Sequence, residues 1–434
     1  MRSIALLALL LPMPGVVSRA EAADVVPSPL GLDAALELAR GRLPALRKAR
    51  ADTEATRARV RQAEAPRLPQ VTARSTYSRA TQNASRGFAG FDPPAPSADT
   101  EGELSASVSA SQLLYDFGRT GGRIDAAEAS VSAQQASEDA TLRQAVLEVR
   151  NAFIDARAQK ALLAVARETV GDRERHVTRV QAFVTAGMRP PIDVVQARAN
   201  LADARVQLVE AENAADTARV RLDLALGLVD PNPYEVADEG PPAVPEEALT
   251  GNELLELAVA QSADARALQA QVQAQQATLE ATRGNYWPSL GAQAALDESG
   301  PDPGALVWNY SFGLALTWPL YEGGLTDAQT RESDARILSA RAALESLRQQ
   351  LRLVVEQARL GVRSGLAAIS AADEALVFAK ERLALAEARY TNGVGTAIEV
   401  SDAQLSYANA GAQRVRAERT LAAARARLLD ALGR

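Results

Sequence analysis

The segment YSFGLALTWPL, residues 310–320, alternates apolar side chains with small or polar ones. The apolar positions are Tyr310, Phe312, Leu314, Leu316, Trp318 and Leu320, and Ser311, Gly313, Ala315 and Thr317 lie between them. Because successive side chains of a strand point to opposite faces, this pattern predicts a strand with one apolar face. Weaker versions occur at residues 71–77, 104–111 and 289–296. We therefore expect four amphipathic strands.

Aromatic residues concentrate around these strands: residues 70–117 and 285–321 hold twelve of the eighteen in the chain. Those near predicted strand ends are Trp287, Trp308, Trp318, Tyr115 and Tyr321. This placement is typical of the aromatic girdle at the edges of a membrane barrel. The core of a soluble β-sandwich is the alternative.

Long proline-free stretches surround the strands. They run from Ser97 to Arg189, from Ile192 to Asp230, from Glu246 to Trp287, and from Leu320 onward. Apart from the strand at the start of the first, their richness in Ala, Arg, Gln, Glu and Leu predicts long helices. A helix from Arg119 to Val184 would reach about 100 Å. The expected internal breaks are Gly171 in the first half and Gly361 and Gly365 in the second.

The chain is a duplication. Leu36-Glu37-Leu38-Ala39 recurs as Leu255-Glu256-Leu257-Ala258, a shift of 219, and Tyr115-Asp116 recurs as Tyr321-Glu322, a shift of 206. Each copy predicts a helix, two strands joined by a loop, a very long helix, a turn and a long helix. We assign residues 23–230 to the first copy, with a strand pair at 70–117 and a helical hairpin at 119–228. Residues 231–250 form a linker, and residues 251–434 form the second copy, with a strand pair at 285–320 and a hairpin at 323–433. The loop at residues 80–102 is longer than its counterpart.

The N-terminal 22 residues predict export. Arg2, the apolar run from Ile4 to Leu11, and Ala20-Glu21-Ala22 are typical of a cleavable secretory signal peptide. The chain contains no cysteine, which excludes disulfides, thiolate metal sites and a lipid-modified cysteine. No later window holds 18 consecutive apolar residues, so we expect strands rather than helices to enter a membrane. The formal net charge of −7 argues against nucleic acid as a partner.

Four strands cannot close a membrane barrel by themselves, because unpaired edge groups cannot face lipid. Two chains would supply eight strands, whose interior is filled by side chains. Three chains would supply twelve strands and leave room for a channel. The arithmetic therefore favours a homotrimer.

Two pairs of segments carry a family resemblance. They are Leu114-Tyr115-Asp116-Phe117-Gly118 with Leu320-Tyr321-Glu322-Gly323-Gly324, and Gly187-x₄-Ile192-Asp193-Val194 with Tyr390-x₂-Gly393-x₂-Thr396-x-Ile398-Glu399-Val400. Over residues 30–434 the chain resembles the TolC-like outer membrane efflux family. The resemblance implies an α+β membrane protein: a trimeric twelve-stranded β-barrel in the cell outer membrane, continued by a long α-helical coiled-coil tunnel in the periplasm. It also implies an exit duct for efflux or type I secretion, working with a periplasmic adaptor and an inner-membrane transporter.

Acidic residues near the second turn are candidates for the periplasmic entrance. Glu399 and Asp402 lie three residues apart and share a helical face. The pattern Thr396-Ala397-Ile398-Glu399 also fits a capping box, which leaves two interpretations open for Glu399. The resemblance implies that Glu399 and Asp402 line a constriction, and Asp193 is the first-copy counterpart of Glu399. The dipole of any helix favours such a first-turn carboxylate, so Asp193 is the weaker candidate.

The hairpin turns contain Gly187 and Gly393, which we expect to adopt positive φ. The resemblance implies that the exposed neighbours Met188 and Val394 contact the adaptor. It also implies an entrance latch formed by an arginine at the position of Gly395, so the latch here must differ. Arg189 either substitutes for it or is a solvated surface residue.

No pattern indicates an enzyme. His176 is the single histidine, and no second histidine or cysteine accompanies it, which argues against a metal site. No nucleophile triad, phosphate loop or HExxH segment is present, and no cofactor is expected. The competing hypothesis is a soluble periplasmic coiled-coil scaffold or adaptor. Drugs, metal ions and secreted polypeptides all remain candidate cargoes.

Overall fold

The computed structural model describes residues 26–81, 98–228, 233–239 and 243–434. The predicted signal peptide and most of the 80–102 loop lie outside the described residues. The first half contains α1 (Leu32–Arg42), α2 (Pro44–Glu64), β1 (Gln70–Ala80), β2 (Glu101–Tyr115), α3 (Arg119–Thr185) and α4 (Ile192–Leu226). The second half contains α5 (Gly251–Gln261), α6 (Ala263–Arg283), β3 (Ser289–Gly300), β4 (Val307–Thr317), α7 (Leu325–Thr391) and α8 (Ala397–Ala431).

Each half begins with two helices, so the prediction of one helix was wrong. Leu43, before Pro44, is extended with φ −61° and ψ 122°, because the proline ring disfavours helical geometry at the residue before it. Ser262 adopts nearly the same angles without a proline. Its hydroxyl accepts a hydrogen bond of 3.1 Å from the Ala265 N–H and caps α6. A proline in the first half and a serine cap in the second half therefore separate the first two helices at equivalent positions.

The long helices α3 and α7 each run for 67 residues without interruption. The prediction that Gly171, Gly361 and Gly365 break them was wrong. At Gly365 a Cβ would lie 3.0 Å from the Leu421 Cα, closer than ordinary packing allows. The absence of a side chain there lets α7 and α8 approach closely.

The four strands form one antiparallel sheet in the order β1-β2-β3-β4. Its register repeats the sequence duplication: Ser75 lies opposite Ala106, and Ala294 lies opposite Phe312. The shifts of 219 and 206 residues convert the first pair into the second. Strand β4 ends at Thr317, before Pro319, so the expected alternation through Trp318 and Leu320 extends past the strand.

The register gives the sheet two chemically different faces, because residues opposite each other share a face. We call one the apolar face; it carries Val71, Ala73, Tyr77, Val108, Ala110, Ala292, Leu296, Tyr310, Phe312, Leu314 and Leu316. The polar face carries Thr72, Arg74, Thr76, Ser105, Ser107, Ser109, Gln293, Asp297, Asn309 and Ser311. On the apolar face Phe312 is 85% exposed and Leu314 71% exposed. No described part of the chain covers this face.

The buried core lies among the helices, in clusters at different levels along them. One cluster joins α1, α3 and α4 around Val149 and Phe153. Another joins α5, α7 and α8 around Leu254 and Leu428. A third lies at the hairpin ends around Tyr390 and Val400. In the described part of the chain, no helix is both long and apolar enough to cross a membrane.

Candidate functional site

The long helices α3 and α7 end with the same backbone geometry at the two hairpin turns. Gly187 has φ +73° and Gly393 has φ +83°, as the sequence predicts for residues that end a helix in a left-handed conformation. The Met188 N–H donates to the Phe183 carbonyl at 2.9 Å, and the Val394 N–H donates to the Arg389 carbonyl at 3.1 Å. These bonds close the last turn of α3 and of α7.

Met188 and Val394 follow these glycines and are exposed apolar residues of the two turns. Met188 is 63% exposed and Val394 71% exposed. The four predicted tip residues therefore lie at equivalent places, one pair on each hairpin.

Arg189 joins the first turn to the second. Its Nη2 donates to the Tyr390 carbonyl at 2.7 Å and to the Gly395 carbonyl at 3.1 Å. Its guanidinium carbon lies 4.3 Å from the centre of the Tyr390 ring, within the range of a cation–π contact. Arg189 therefore connects the two hairpins through its side chain. The interpretation of Arg189 as a solvated surface residue was wrong.

Tyr390 is buried between the two hairpins. Its hydroxyl donates a hydrogen bond of 3.1 Å to Asp193 Oδ2, and the residue is 1% exposed. Burial and the Asp193 carboxylate raise the pKa of Tyr390 to about 12, so the hydroxyl remains a donor at neutral pH. Asp193 is thus engaged within its own chain, next to the N-terminus of α4.

Gly395 lies where the second turn folds back on α7. A Cβ there would lie 2.9 Å from the Tyr390 backbone nitrogen, so a larger residue would force the backbone apart. Its N–H donates to the Arg389 carbonyl at 3.0 Å, and its own carbonyl accepts from Arg189. Gly395 therefore contributes its carbonyl oxygen as a hydrogen-bond acceptor, and the cationic donor is Arg189 of the other hairpin.

Glu399 and Asp402 both lie on the exposed side of α8. Thr396 Oγ1 accepts from the Glu399 N–H at 3.2 Å, which forms half of the expected capping box. The Glu399 carboxylate does not complete the box; it lies 3.4 Å from Arg389 Nε. Asp402 is exposed, and within the described residues its carboxylate forms no ion pair. Among the described residues, Asp402 therefore lacks the ion pair that Glu399 forms.

His176 lies beside this contact, on α3. It is 4% exposed, and its ring centre is 5.9 Å from that of Tyr390. Burial, Arg179 and Arg173 lower the pKa of His176 to about 4, so the ring is neutral at physiological pH. Arg173, also buried, donates to Gln404 Oε1 on α8 at 2.7 Å. Helices α3, α7 and α8 therefore meet around buried polar side chains.

The aromatic residues occupy both ends of the sheet. Tyr115 ends β2, Trp287 precedes β3, and Trp318 follows β4, all at the end next to the long helices. Tyr321 lies in the following segment and is 89% exposed. Trp308 lies at the opposite end, with its ring centre 6.3 Å from that of Tyr310.

Sequence reasoning missed Phe117 and the role of Tyr390. The Phe117 ring stacks on Trp287 at 5.5 Å between centres and touches Tyr115 edge-on at 4.7 Å. Its φ of 53° is rare for a residue with a side chain. Phe117 and Tyr390 both lie in the segments that carry the family resemblance, which is the signal that could have singled them out.

Comparison with known proteins identifies the family. Residues 35–228 and 254–434 match the family model of the outer membrane efflux proteins. The chain belongs to that family, which confirms the resemblance and places it in the outer membrane. Its class is that of efflux proteins, not of enzymes.

Individual relatives agree with this assignment. The pyoverdine export outer membrane protein OpmQ of Pseudomonas aeruginosa is 28% identical over 303 residues, which cover 66% of this chain and 61% of that protein. The outer membrane efflux protein BepC of Brucella suis biovar 1 is 26% identical, over 57% of this chain and 54% of its own length. The chain thus matches less than two thirds of the length of these relatives.

Solved structures show the same fold. A membrane protein from Pseudomonas aeruginosa superposes with a TM-score of 0.80 at 24% identity, over 92% of this chain and 93% of its own. CusC, whose crystal structures were described for its folding and transmembrane channel formation, superposes with a TM-score of 0.78 at 20% identity. The match covers 97% of this chain and 96% of the CusC chain. The four-stranded sheet and the long helices are therefore a shared architecture.

Proposed function

We propose that the chain forms a passive exit duct across the outer membrane. Three copies close a twelve-stranded barrel, and their helices continue it as a tunnel through the periplasm. The observation that carries this proposal is the uncovered apolar face of the sheet, with Phe312, Leu314 and Tyr310 each more than two thirds exposed. Such a surface is stable in hydrocarbon and unfavourable in water.

The open sheet edges support several copies per duct. Among the residues that the structure describes, β1 pairs only with β2 and β4 pairs only with β3. Both outer edges therefore carry unpaired N–H and C=O groups, which lipid cannot satisfy. Pairing β4 with β1 of another copy satisfies both edges at once.

The hairpin tips form the periplasmic entrance in this proposal. The Asp193–Tyr390 and Arg189–Gly395 contacts hold the two hairpins of one copy together, and Asp402 lines the constriction with Glu399 beside it. Met188 and Val394, with Gly187 and Gly393 shaping their turns, contact a periplasmic adaptor that links the duct to an inner-membrane transporter. The aromatic residues at the sheet ends lie at the lipid headgroups.

Fractionation of cells that express the full chain tests this function. We expect the protein in outer membranes, as an oligomer that dissociates only on heating. Release of a monomer by osmotic shock would support a soluble periplasmic scaffold instead. The exposed apolar face argues against the scaffold. In a soluble protein this face would be in contact with water, which costs about 25 cal/mol of free energy for each Å² of apolar surface.

A further inference from the structure

We propose that each chain binds one anionic phospholipid of the membrane leaflet that faces the periplasm. One acyl chain lies in a groove of the apolar face of the sheet, and the phosphate lies against Arg67 and Arg119 at the sheet end next to the long helices. This inference rests on the proposed function, because it requires the apolar face to be in lipid. It assigns a binding site with a preferred headgroup to one place on that face.

The groove has a volume of about 480 Å³. Alanines of β2 and β3 form its floor, and two large side chains of β4 form its wall. Ala110 lies opposite Ala294, and Ala294 lies opposite Phe312. Leu314 continues the wall along β4, and Pro69 lines the groove from the side of β1. Because the alanine methyl groups do not fill the space beside the larger side chains, the groove suits a flexible acyl chain.

A glutamine links this groove to a cation. Gln112 lies opposite Ala292 on the apolar face and lines the groove. Its side-chain amide donates a hydrogen bond of 2.6 Å to the Arg67 carbonyl. This bond holds Arg67, which lies between α2 and β1, at the end of the groove. The Arg67 side chain is exposed, and a guanidinium binds a phosphate through parallel hydrogen bonds.

Arg119 supplies a second cation beside the first. Arg67 Nη2 lies 3.4 Å from the position that a Cβ of Gly121 would occupy, so Arg67 packs against the first turn of α3, which begins at Arg119. The Nη2 of Arg119 donates to the carbonyl oxygens of Gly284 and Trp287 at 3.4 Å. Its Nε is buried without an acceptor in the described part of the chain. Two guanidinium groups with unused donors therefore lie together.

The carboxylates nearest to these cations along the chain do not neutralise them. Asp116 is buried and accepts a hydrogen bond of 2.7 Å from the Thr120 N–H. Glu64, at the end of α2, is exposed. Within the described residues, neither Arg67 nor Arg119 forms an ion pair. Their positive charge therefore complements an anion from outside the chain, and at this depth of the membrane that anion is a lipid phosphate.

The second half of the chain keeps the contact without the charge. At shifts of 206 and 219 residues, Trp318 and Tyr286 occupy the positions of Gln112 and Arg67. The Trp318 Nε1 donates to the Tyr286 carbonyl at 3.1 Å, and Leu325 replaces the second cation. Tryptophan and tyrosine are the ordinary residues of a membrane–water interface. The first half therefore has a cationic contact where the second half has an uncharged interfacial one.

Lipid titration followed by native mass spectrometry tests the site. The oligomer is extracted from outer membranes and stripped of lipid in mild detergent. It is then titrated with phosphatidylglycerol or with phosphatidylcholine of the same acyl chains. We expect phosphatidylglycerol to saturate at one molecule per chain. Its affinity should be about fivefold that of phosphatidylcholine, which is the contribution of one arginine near an anionic headgroup.

Substitutions separate the headgroup contact from the groove. Arg67→Tyr copies the second half and keeps the carbonyl that Gln112 binds, and it should bring the affinity ratio of the two lipids close to one. Arg47→Tyr, on the first turn of α2, should leave the ratio unchanged. Ala294→Leu fills the floor of the groove and should weaken both lipids severalfold. Ala73→Leu is the matched control, because Ala73 lies on the apolar face outside the groove.

Equal affinities for the two lipids in the wild type would overturn the inference, as would a preference that Arg67→Tyr leaves intact. Unchanged binding to Ala294→Leu, or binding that rises without saturation as surrounding bulk lipid does, would overturn it as well. In each of these cases a heat-modifiable oligomer in outer membranes leaves the duct standing. A monomeric protein in the soluble fraction would contradict both.

Discussion

The Tyr390 hydroxyl donates a hydrogen bond to the Asp193 carboxylate across 3.1 Å, and these two residues belong to different hairpins. The bond lies in the buried cluster at the hairpin ends, and Arg189 covers the face of the same tyrosine ring. An entrance that opens by separating the hairpins must break this bond and expose the ring.

Tyr390→Phe should loosen the entrance. The change removes the hydroxyl donor but retains the buried ring. It should therefore lower the free energy that holds the two hairpins together by about 1 kcal/mol. Single-channel recordings at pH 7 should show longer or larger openings than wild type. Tyr407→Phe is the control, because Tyr407 bonds Glu168 at 3.5 Å on an exposed surface. Equal conductance of Tyr390→Phe and wild type would contradict a closing role for the bond.

Acidification should weaken the closed entrance through His176. Its pKa is about 4 in the folded protein and about 6.5 when exposed, so the folded form binds fewer protons between these values. The stabilisation is present above pH 6.5 and is lost as the pH falls towards 4, up to about 3 kcal/mol. Arg173 and Arg179 on α3 disfavour the charged ring, and Asp193 from α4 favours it, while Tyr390 from α7 is neutral.

The measurement is channel open probability between pH 7 and pH 4.5 for wild type and His176→Gln. We expect the wild type to open on acidification and the glutamine variant to respond much less, because an amide does not titrate in this range. Identical pH profiles in two normally assembled proteins would show that His176 does not couple protons to the entrance.

The two faces of the sheet should respond differently to charge. Leu314→Arg places a cation on the apolar face and should cost about 2–4 kcal/mol in the bilayer. Ala315→Arg places it on the polar face and should be tolerated. The yield of heat-modifiable oligomer in outer membranes measures both, and equal yields would reject the assignment of the faces.

Asp402→Asn should reduce cation selectivity. If three copies of this free carboxylate meet at the axis, their field concentrates cations, and multivalent cations added from the periplasmic side should block the pore. The variant retains side-chain size while removing charge, so selectivity and block should both decrease. Asp203→Asn on the exposed side of α4 is the matched control. A normally assembled Asp402→Asn duct with unchanged selectivity would exclude Asp402 from the constriction.

The sequence predicted the elements better than the contacts between them. The helix expected from Arg119 to Val184 is observed from Arg119 to Thr185, because proline placement and composition are local signals. The sequence does not indicate the break at Ser262, because serine is tolerated inside helices and the break depends on packing and on the cap that its hydroxyl forms. The Asp193–Tyr390 bond joins residues 197 positions apart, which no local pattern reveals.

The site was predicted in part for the same reason. Positive φ at Gly187 and Gly393 follows from the turn chemistry that the sequence displays. The hydrogen bonds of Arg189 cannot be inferred from turn chemistry, because their acceptors are backbone carbonyls of the other hairpin. Side chains that contact distant backbone atoms leave no periodicity in a sequence.

Single-channel recording tests the central claim most directly. Protein purified from outer membranes in mild detergent and added to a planar lipid bilayer should produce discrete, cation-selective current steps. Steps of one unit size, each from a single oligomer, are the result that a closed duct predicts. Insertion of a correctly folded protein that never conducts, at neutral or acidic pH and in the Tyr390→Phe variant, would contradict it.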